Sequence, residues 1–305
     1  MKKLFNGRFS TLFGVLSLYV FLSLLVRIVL LVWSVKDLDL NIMHILRSFF
    51  TGFAFDLTMG LLFLVLYCVY LLLVPKKWIG SLFDKCFTYF YLSLLLIIIY
   101  FSLLAEFPFW AEFGVRFNFI AVDYLIYTYE VFENINQSYP LPLIGIVLIG
   151  LIVFTFFLFN RFKIFRNTFS DKNSIRNRSL YATPILAIAL VLGLVMKNKQ
   201  ADFTNNLVVN ELGKNGAFSF VSAYQSNELD YGTFYPTLPE KEAYSVLKYD
   251  LLQDNQKYIT ETDDDISRLT QGNQELKPNI ILITIESFSG EFLKAFGNKD
   301  NITPN

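Results

Sequence analysis

Cysteine and histidine are scarce in this 305-residue sequence, which contains two cysteines and one histidine. Cys68 and Cys86 lie in or beside apolar runs, so we interpret both as packing residues rather than as a disulfide framework. The single His44 cannot form a histidine-rich metal site, and we interpret it as structural. The sequence therefore excludes proteins that are built on disulfides or on clusters of cysteine and histidine around a metal.

Charge is also in short supply, since charged residues make up 17% of the sequence. Basic and acidic residues number 26 each, so the net charge indicates no particular partner. The basic residues fall in short loops beside apolar runs, and nothing supports nucleic-acid binding. What is abundant is apolar: 54% of the residues are hydrophobic and 17% are aromatic. This composition is typical of membrane proteins rather than of soluble domains.

Five apolar runs are long enough to cross a membrane. The first run exceeds a signal-peptide core and lacks a small-residue cleavage site, so we predict that it is retained. We therefore predict an α-helical bundle of five transmembrane helices over residues 1–196. The runs cover approximately residues 10–33, 49–74, 87–107, 143–159 and 180–196.

Basic residues mark alternate connections between these runs. They occur at the N-terminus, in the loop with Lys76, Lys77 and Lys85, and in residues 161–178. Because cytoplasmic loops carry an excess of Lys and Arg, we predict a cytoplasmic N-terminus. With five spans, residues after about 197 are then extracytoplasmic.

The predicted external connection, residues 106–142, mixes aromatic and charged side chains, which is typical of the headgroup level. Phe119, Val122, Ile126 and Tyr129 fall at helical spacing and predict an interfacial helix. This segment is either a belt that seats the bundle or a platform that holds a lipid substrate.

Four charged residues stand out in or near the predicted spans. Arg27 and Asp56 lie at similar depth in the first two spans, which predicts an intramembrane ion pair; outward snorkelling of Arg27 is the alternative. Arg47 and Arg116 are expected to be exposed on the outer side. We predict that one or both contact a lipid phosphate, with simple headgroup anchoring as the alternative.

Residues 197–276 are mixed in character and are predicted to form an extracytoplasmic helical connector. Two short helices are expected within residues 207–224, broken at 213–216, and a further helix over 240–252. The acidic run 262–265 lacks the glycine and closing glutamate of a calcium loop, so we interpret it as a solvated turn.

The run Ile280–Ile285 is rich in β-branched residues and predicts a strand that is buried on both faces. Glu286 follows it directly. Carboxyl ends of strands are where open α/β sheets bind ligands, so Glu286 is either a metal or catalytic residue or a cap for the next helix.

Several of these residues also carry a family resemblance. Pro278-Asn279, the apolar run and the following acid resemble the start of the catalytic domain in the sulfatase and alkaline-phosphatase superfamily. Glu286-Ser287 resembles the lipoteichoic-acid-synthase branch of membrane phosphoglycerol transferases. Thr303-Pro-Asn305 is similar to a motif that follows in the same superfamily, and residues 210–220 resemble the segment that joins membrane part and catalytic domain.

The resemblance implies a bacterial-type cytoplasmic membrane enzyme with five spans and an external catalytic domain, of which residues 277–305 are the truncated, alkaline-phosphatase-like start. It implies manganese or magnesium, with Glu286 as a metal ligand, and phosphatidylglycerol as a headgroup donor that is released as diacylglycerol. The family's threonine nucleophile and Asp/His ligands are expected beyond Asn305, so we expect no catalytic residue within these 305 residues and no activity from them alone. A phosphoethanolamine transferase and a non-enzymatic scaffold or transporter subunit are the alternatives.

Overall fold

The computed structural model describes residues 7–38, 41–126, 133, 136–137, 140–226, 238–260, 262–272, 279–286 and 289–300. The chain divides into two compact units, Met1–Glu228 and Leu229–Asn305. This division groups residues 198–226 with the spans, whereas the sequence predicts a boundary at 196.

The first unit is helical in its described residues. Five of its helices are long and apolar enough to cross a membrane, which confirms the prediction of a helical bundle with five helices of membrane-spanning length. The helices of this unit are α1 (Ser10–Trp33), α2 (Ile42–Leu73), α3 (Leu82–Phe113), α4 (Phe119–Ile126), α5 (Leu141–Arg161), α6 (Ile164–Ser170), α7 (Ile175–Val195), α8 (Leu207–Leu212) and α9 (Gly216–Gln225).

Capping residues, rather than the ends of the apolar runs, set the start of α2 and both ends of α3. The Asn41 side chain accepts a hydrogen bond from the Met43 amide at 3.0 Å, so α2 begins seven residues before the predicted span. Ser81 caps α3 in the same way through the Asp84 amide. Gly114 ends α3 in the left-handed conformation, with φ of 66°, which glycine adopts without strain.

Helix α2 packs against both α1 and α7, and α1 also contacts α3 and α6. The core between them contains Leu12, Phe55, Tyr67 and Cys68. Cys86 is exposed on α3, so its interpretation as a packing residue is wrong. It shares a helix face with the exposed Phe83 and Phe90, as expected for a surface that faces lipid.

A polar cluster joins the helices at the end of the bundle where α1 and α3 begin. Arg8 donates to both carboxylate oxygens of Asp84, at 2.7 and 2.6 Å, and Tyr70 donates to the same carboxylate at 2.7 Å. Arg178 donates to the last carbonyls of α2, those of Leu71 and Val74. These contacts join α1, α2, α3 and α7 and satisfy a helix C-terminus.

The other end of the bundle is covered by residues 198–226, which we call the connector segment. It comprises a 3-10 turn, Asn198–Ala201, followed by α8 and α9. The predicted break between two short helices at 213–216 is confirmed. Helix α9 packs on α3 and on α4, where Val122 is buried. The predicted helix around Phe119–Ile126 is therefore present, while Tyr129 lies outside the described residues.

The second unit contains α10 (Glu240–Leu251) and an antiparallel hairpin of β1 (Gln256–Tyr258) and β2 (Arg268–Thr270), with Lys257 opposite Leu269. Helix α10 confirms the predicted helix over 240–252. Hydrogen bonds from Ser267 and Thr260 lower the pKa of Asp265 to about 2 and fasten the turn between the strands.

The predicted buried strand at Ile280–Ile285 is wrong for this structure. Residues 279–286 contain no strand, and their apolar side chains are exposed, Ile281 to 86%. The physical reason is that a strand needs a hydrogen-bonded neighbour, and the two strands described in this unit pair with each other.

Candidate functional site

The most strongly charged interior region of the described chain lies where the connector segment meets the bundle. Arg27 on α1 and Asp56 on α2 form an ion pair there, with Nη2 2.7 Å from Oδ2, and both side chains are almost fully buried. Buried charges are stable only when they are paired and hydrogen-bonded. The stability of this pair therefore depends on hydrogen-bond partners for its remaining donors and acceptors.

The connector segment supplies those partners. Arg27 also donates from Nη1 to the carbonyl oxygens of Leu212 and, at 3.3 Å, of Lys214. Asn215 donates to the free oxygen of the Asp56 carboxylate at 2.8 Å. The turn between α8 and α9 thus adds hydrogen bonds to both members of the ion pair from outside the two helices, and its carbonyls are in turn satisfied by a guanidinium.

Asn215 reaches further into the bundle. Its amide nitrogen lies 3.0 Å from the hydroxyl of Tyr19, which is eight residues before Arg27 on α1. Its amide oxygen accepts from the Phe218 amide at 3.0 Å and so caps α9. One buried side chain therefore both starts a connector helix and binds two spanning helices.

A second buried ion pair lies at the same end. Arg116 pairs with Glu106 near the end of α3, and its backbone amide donates to Glu211 of α8 at 2.8 Å. Burial is the main cause that lowers the pKa of Arg116, and the neighbouring positive charge of Arg27 lowers it further. The expectation that Arg116 is exposed is wrong, because the side chain is only 3% exposed and is held inward by Glu106.

Lys214 closes the network at its accessible edge. Its ammonium group lies 2.7 Å from Glu211 and 3.0 Å from Asp202. Burial alone lowers the pKa of Lys214, but the two carboxylates outweigh burial and the net shift is upward. We call Arg27, Asp56, Glu106, Arg116, Glu211, Lys214 and Asn215 together the connector network.

Two glycines make room for this network. A Cβ atom on Gly52 would overlap the Arg27 guanidinium, and one on Gly216 would overlap the Glu106 carboxylate. Both glycines are buried. Close approach, rather than backbone flexibility, therefore requires glycine at these two positions.

Arg47 lies in a different environment near the start of α2. It is exposed, and its guanidinium carbon is 4.3 Å from the centre of the Phe203 ring. A shallow groove of about 510 Å³ beside this ring is lined by His44, Phe203, Thr204, Asn205 and Asn206. This groove is a separate feature from the connector network.

Glu286 is exposed in the second unit. Among the described residues, no group of three or more His, Cys, Asp or Glu side chains is placed to hold a metal ion. One carboxylate does not by itself provide the several oxygen ligands that manganese or magnesium requires. The described residues therefore do not fit a complete metal site, and we derive no chemical step through a metal.

The sequence pointed to Arg27 and Asp56 but missed their partners. Glu106 lies near the end of a long apolar run, and an acidic residue in such a run is a signal that could have been used. Glu211, Lys214 and Asn215 occur in an ordinary polar stretch, where nothing in the local pattern distinguishes a buried side chain from a solvated one.

We compared the chain with known protein families, curated proteins and solved structures. No family model, curated protein or solved structure matches the chain. The connector network itself offers paired charges and hydrogen bonds, so its chemistry is that of a fixed joint between the bundle and the connector segment.

Proposed function

We propose that this chain is the membrane part, and the beginning of the external domain, of a transferase. The reaction moves a phosphoglycerol-type headgroup from a membrane phospholipid to an extracytoplasmic acceptor. The carrying observation is that residues 210–220, which resemble the joining segment of such enzymes, are built into the end of the bundle through the connector network.

The distribution of basic residues supports an orientation in which the connector segment lies on the outer side of the membrane. Arg8, Lys76, Lys77, Lys85 and Arg161 precede or follow spans at the end of the bundle opposite the connector segment. In a bacterial-type cytoplasmic membrane such an end is cytoplasmic. The connector segment and the chain after it then lie outside, where a lipid headgroup of the outer leaflet is within reach.

The connector network supports a fixed rather than a transporting bundle. A transporter needs polar groups that are free to bind cargo near the middle of the membrane. In the described spans, the charged groups of Arg27 and Asp56 are engaged with each other and with the connector segment. A non-enzymatic transporter subunit is therefore the weaker alternative, while a phosphoethanolamine transferase shares the proposed layout.

The direct test is headgroup release. The full product of the gene, purified in detergent, is mixed with manganese and with phosphatidylglycerol that carries a fluorescent acyl chain, and fluorescent diacylglycerol is measured. We expect release by the native protein and its loss in Glu286→Gln, which keeps the shape of the side chain but removes the charge.

Glu291→Gln is the matched control, because Glu291 is an exposed acid five residues further along the chain. It is expected to retain activity. Absence of diacylglycerol release by a well-folded native protein, with phosphatidylethanolamine cleaved instead, would replace the proposed donor. Absence of release from both lipids would contradict the transferase proposal.

A further inference from the structure

The groove at the start of α2 carries an inference that goes beyond the proposed transfer reaction and does not depend on it. We propose that Arg47 and this groove bind the phosphodiester of a membrane glycerophospholipid, whose acyl chains lie along the adjacent face of α2. The groove is lined by His44, Phe203, Thr204, Asn205 and Asn206.

The charge of Arg47 is not paired with a carboxylate among the described residues. In the described part of the chain Arg47 forms no ion pair, whereas Arg8, Arg27 and Arg116 are buried against carboxylates. Asp202 is adjacent in sequence to Phe203, but its carboxylate is paired with Lys214 at 3.0 Å. The positive charge beside the groove is therefore not neutralised by that acid.

The guanidinium is also held in place. It lies over the Phe203 ring, at 4.3 Å from the ring centre, and His44 meets the same ring edge-on at 6.5 Å. The N–H groups of a guanidinium lie in its own plane. A guanidinium that stacks on an aromatic ring can therefore still donate two parallel hydrogen bonds to phosphate oxygens. The exposed Asn205 adds an amide at the groove wall.

The surroundings favour a lipid over a free phosphate ion. Met43 and Phe50 lie four residues before and three residues after Arg47, so they share its face of α2. They are 70% and 81% exposed. A cation at the end of a spanning helix with an exposed apolar strip beside it matches a molecule that carries a phosphate at one end and hydrocarbon at the other.

The size of the groove is consistent with a headgroup. A volume of about 510 Å³ lies within the range of roughly 300–1,000 Å³ that small-molecule sites occupy. The groove is formed within the first unit, between the start of α2 and residues 203–206 of the connector segment, so a lipid bound there contacts both.

The test uses the full chain in detergent and fluorescent phosphatidylglycerol as the probe, at low salt. We expect Arg47→Gln to weaken binding about tenfold, the loss typical of one charge-assisted contact. Phe203→Leu keeps the charge but removes the ring, and it is expected to weaken binding about threefold. Arg161→Gln is the control: Arg161 is an exposed arginine at the end of a different spanning helix, and its loss should change binding less than twofold.

Three competitors identify the source of the phosphate. Unlabelled phosphatidylglycerol is expected to compete strongly, whereas glycerol 3-phosphate, which lacks acyl chains, and diacylglycerol, which lacks phosphate, compete weakly. Equal competition by glycerol 3-phosphate would assign the groove to a soluble phosphate compound and overturn the lipid proposal. Equal binding by native protein and Arg47→Gln, both with unchanged elution in size exclusion, would also overturn it.

Discussion

Arg27 and Asp56 lie on neighbouring helices with their charged groups 2.7 Å apart, and each is also bound by the connector segment. This relationship makes the pair a junction of three parts of the chain rather than a bond between two helices. Removal of either charge leaves the other buried, while the backbone carbonyls and Asn215 retain part of the hydrogen bonding.

The first prediction concerns that pair. Arg27→Met leaves the Asp56 carboxylate without its counter-charge and is expected to lower the free energy of unfolding by about 3–5 kcal/mol. The double variant Arg27→Met with Asp56→Asn should recover part of that loss, because no unpaired charge is left. The free energy of unfolding in detergent is measured for the native protein, for Arg27→Met and Asp56→Asn separately, and for the double variant. Additive losses in this double-mutant cycle would show that the two side chains do not interact.

The second prediction compares the same substitution at two glycines in spanning helices. Gly52→Ala is expected to destabilise the protein, because its Cβ overlaps the Arg27 guanidinium. Gly150→Ala on α5 meets nothing within 4 Å and should be neutral, or stabilising by up to about 1 kcal/mol through helix propensity. Melting temperatures of both variants test this difference. Equal behaviour would contradict the close packing of Arg27 against α2.

The third prediction concerns pH. The pKa of Lys214 is raised by Glu211 and Asp202 against the opposing effect of burial. Its ion pairs therefore contribute fully below the ordinary lysine pKa of 10.5, and the contribution is lost as pH rises through the higher folded-state value. Lys214→Gln is expected to cost about 1.5 kcal/mol at pH 8, and the difference from the native protein should shrink above pH 10.5.

Lys199→Gln is the control for that series, since Lys199 is an exposed lysine of the same connector segment. Its melting temperature should follow the native protein at every pH. A constant difference between native protein and Lys214→Gln from pH 8 to pH 12 would exclude an ion-pair contribution from Lys214.

The fourth prediction concerns orientation in the membrane. A fluorescent-protein fusion after Asn167 should fluoresce in the cytoplasm, and an alkaline-phosphatase fusion after Asp230 should be active outside. The reason is the excess of basic residues at one end of the bundle. Exchange of the two reporters provides the control, and the same location for both fusion points would contradict the five-span orientation.

The five helices of membrane-spanning length could be predicted from hydropathy, because a helix that crosses a membrane needs about 20 consecutive, mostly apolar residues. The pairing of Arg27 with Asp56 could be anticipated for a similar reason, since depth follows from position along a helix. The start of α2 and both ends of α3 could not, because the capping residues Asn41, Ser81 and Gly114 lie outside the apolar runs.

The rest of the connector network was beyond local reasoning. Arg116 and Glu211 are 95 residues apart, and their contact depends on how α8 is placed on the bundle. Arg116 was therefore expected at the surface, although Glu106 holds it inside. The exposed segment 279–286 shows the converse: a strong strand preference does not produce a strand without a neighbouring strand.

The hydrogen bond between Asn215 and Tyr19 joins residues 196 positions apart in the chain. At a ribosomal rate of about 5–20 residues per second, roughly 10–40 s pass between the synthesis of the two. The first two spanning helices are therefore made long before the turn that completes their polar interior. Until Asn215 has been made, the Asp56 carboxylate lacks the hydrogen bond that this side chain donates, so the polar contacts between α1 and α2 can be completed only after the connector segment has been synthesised.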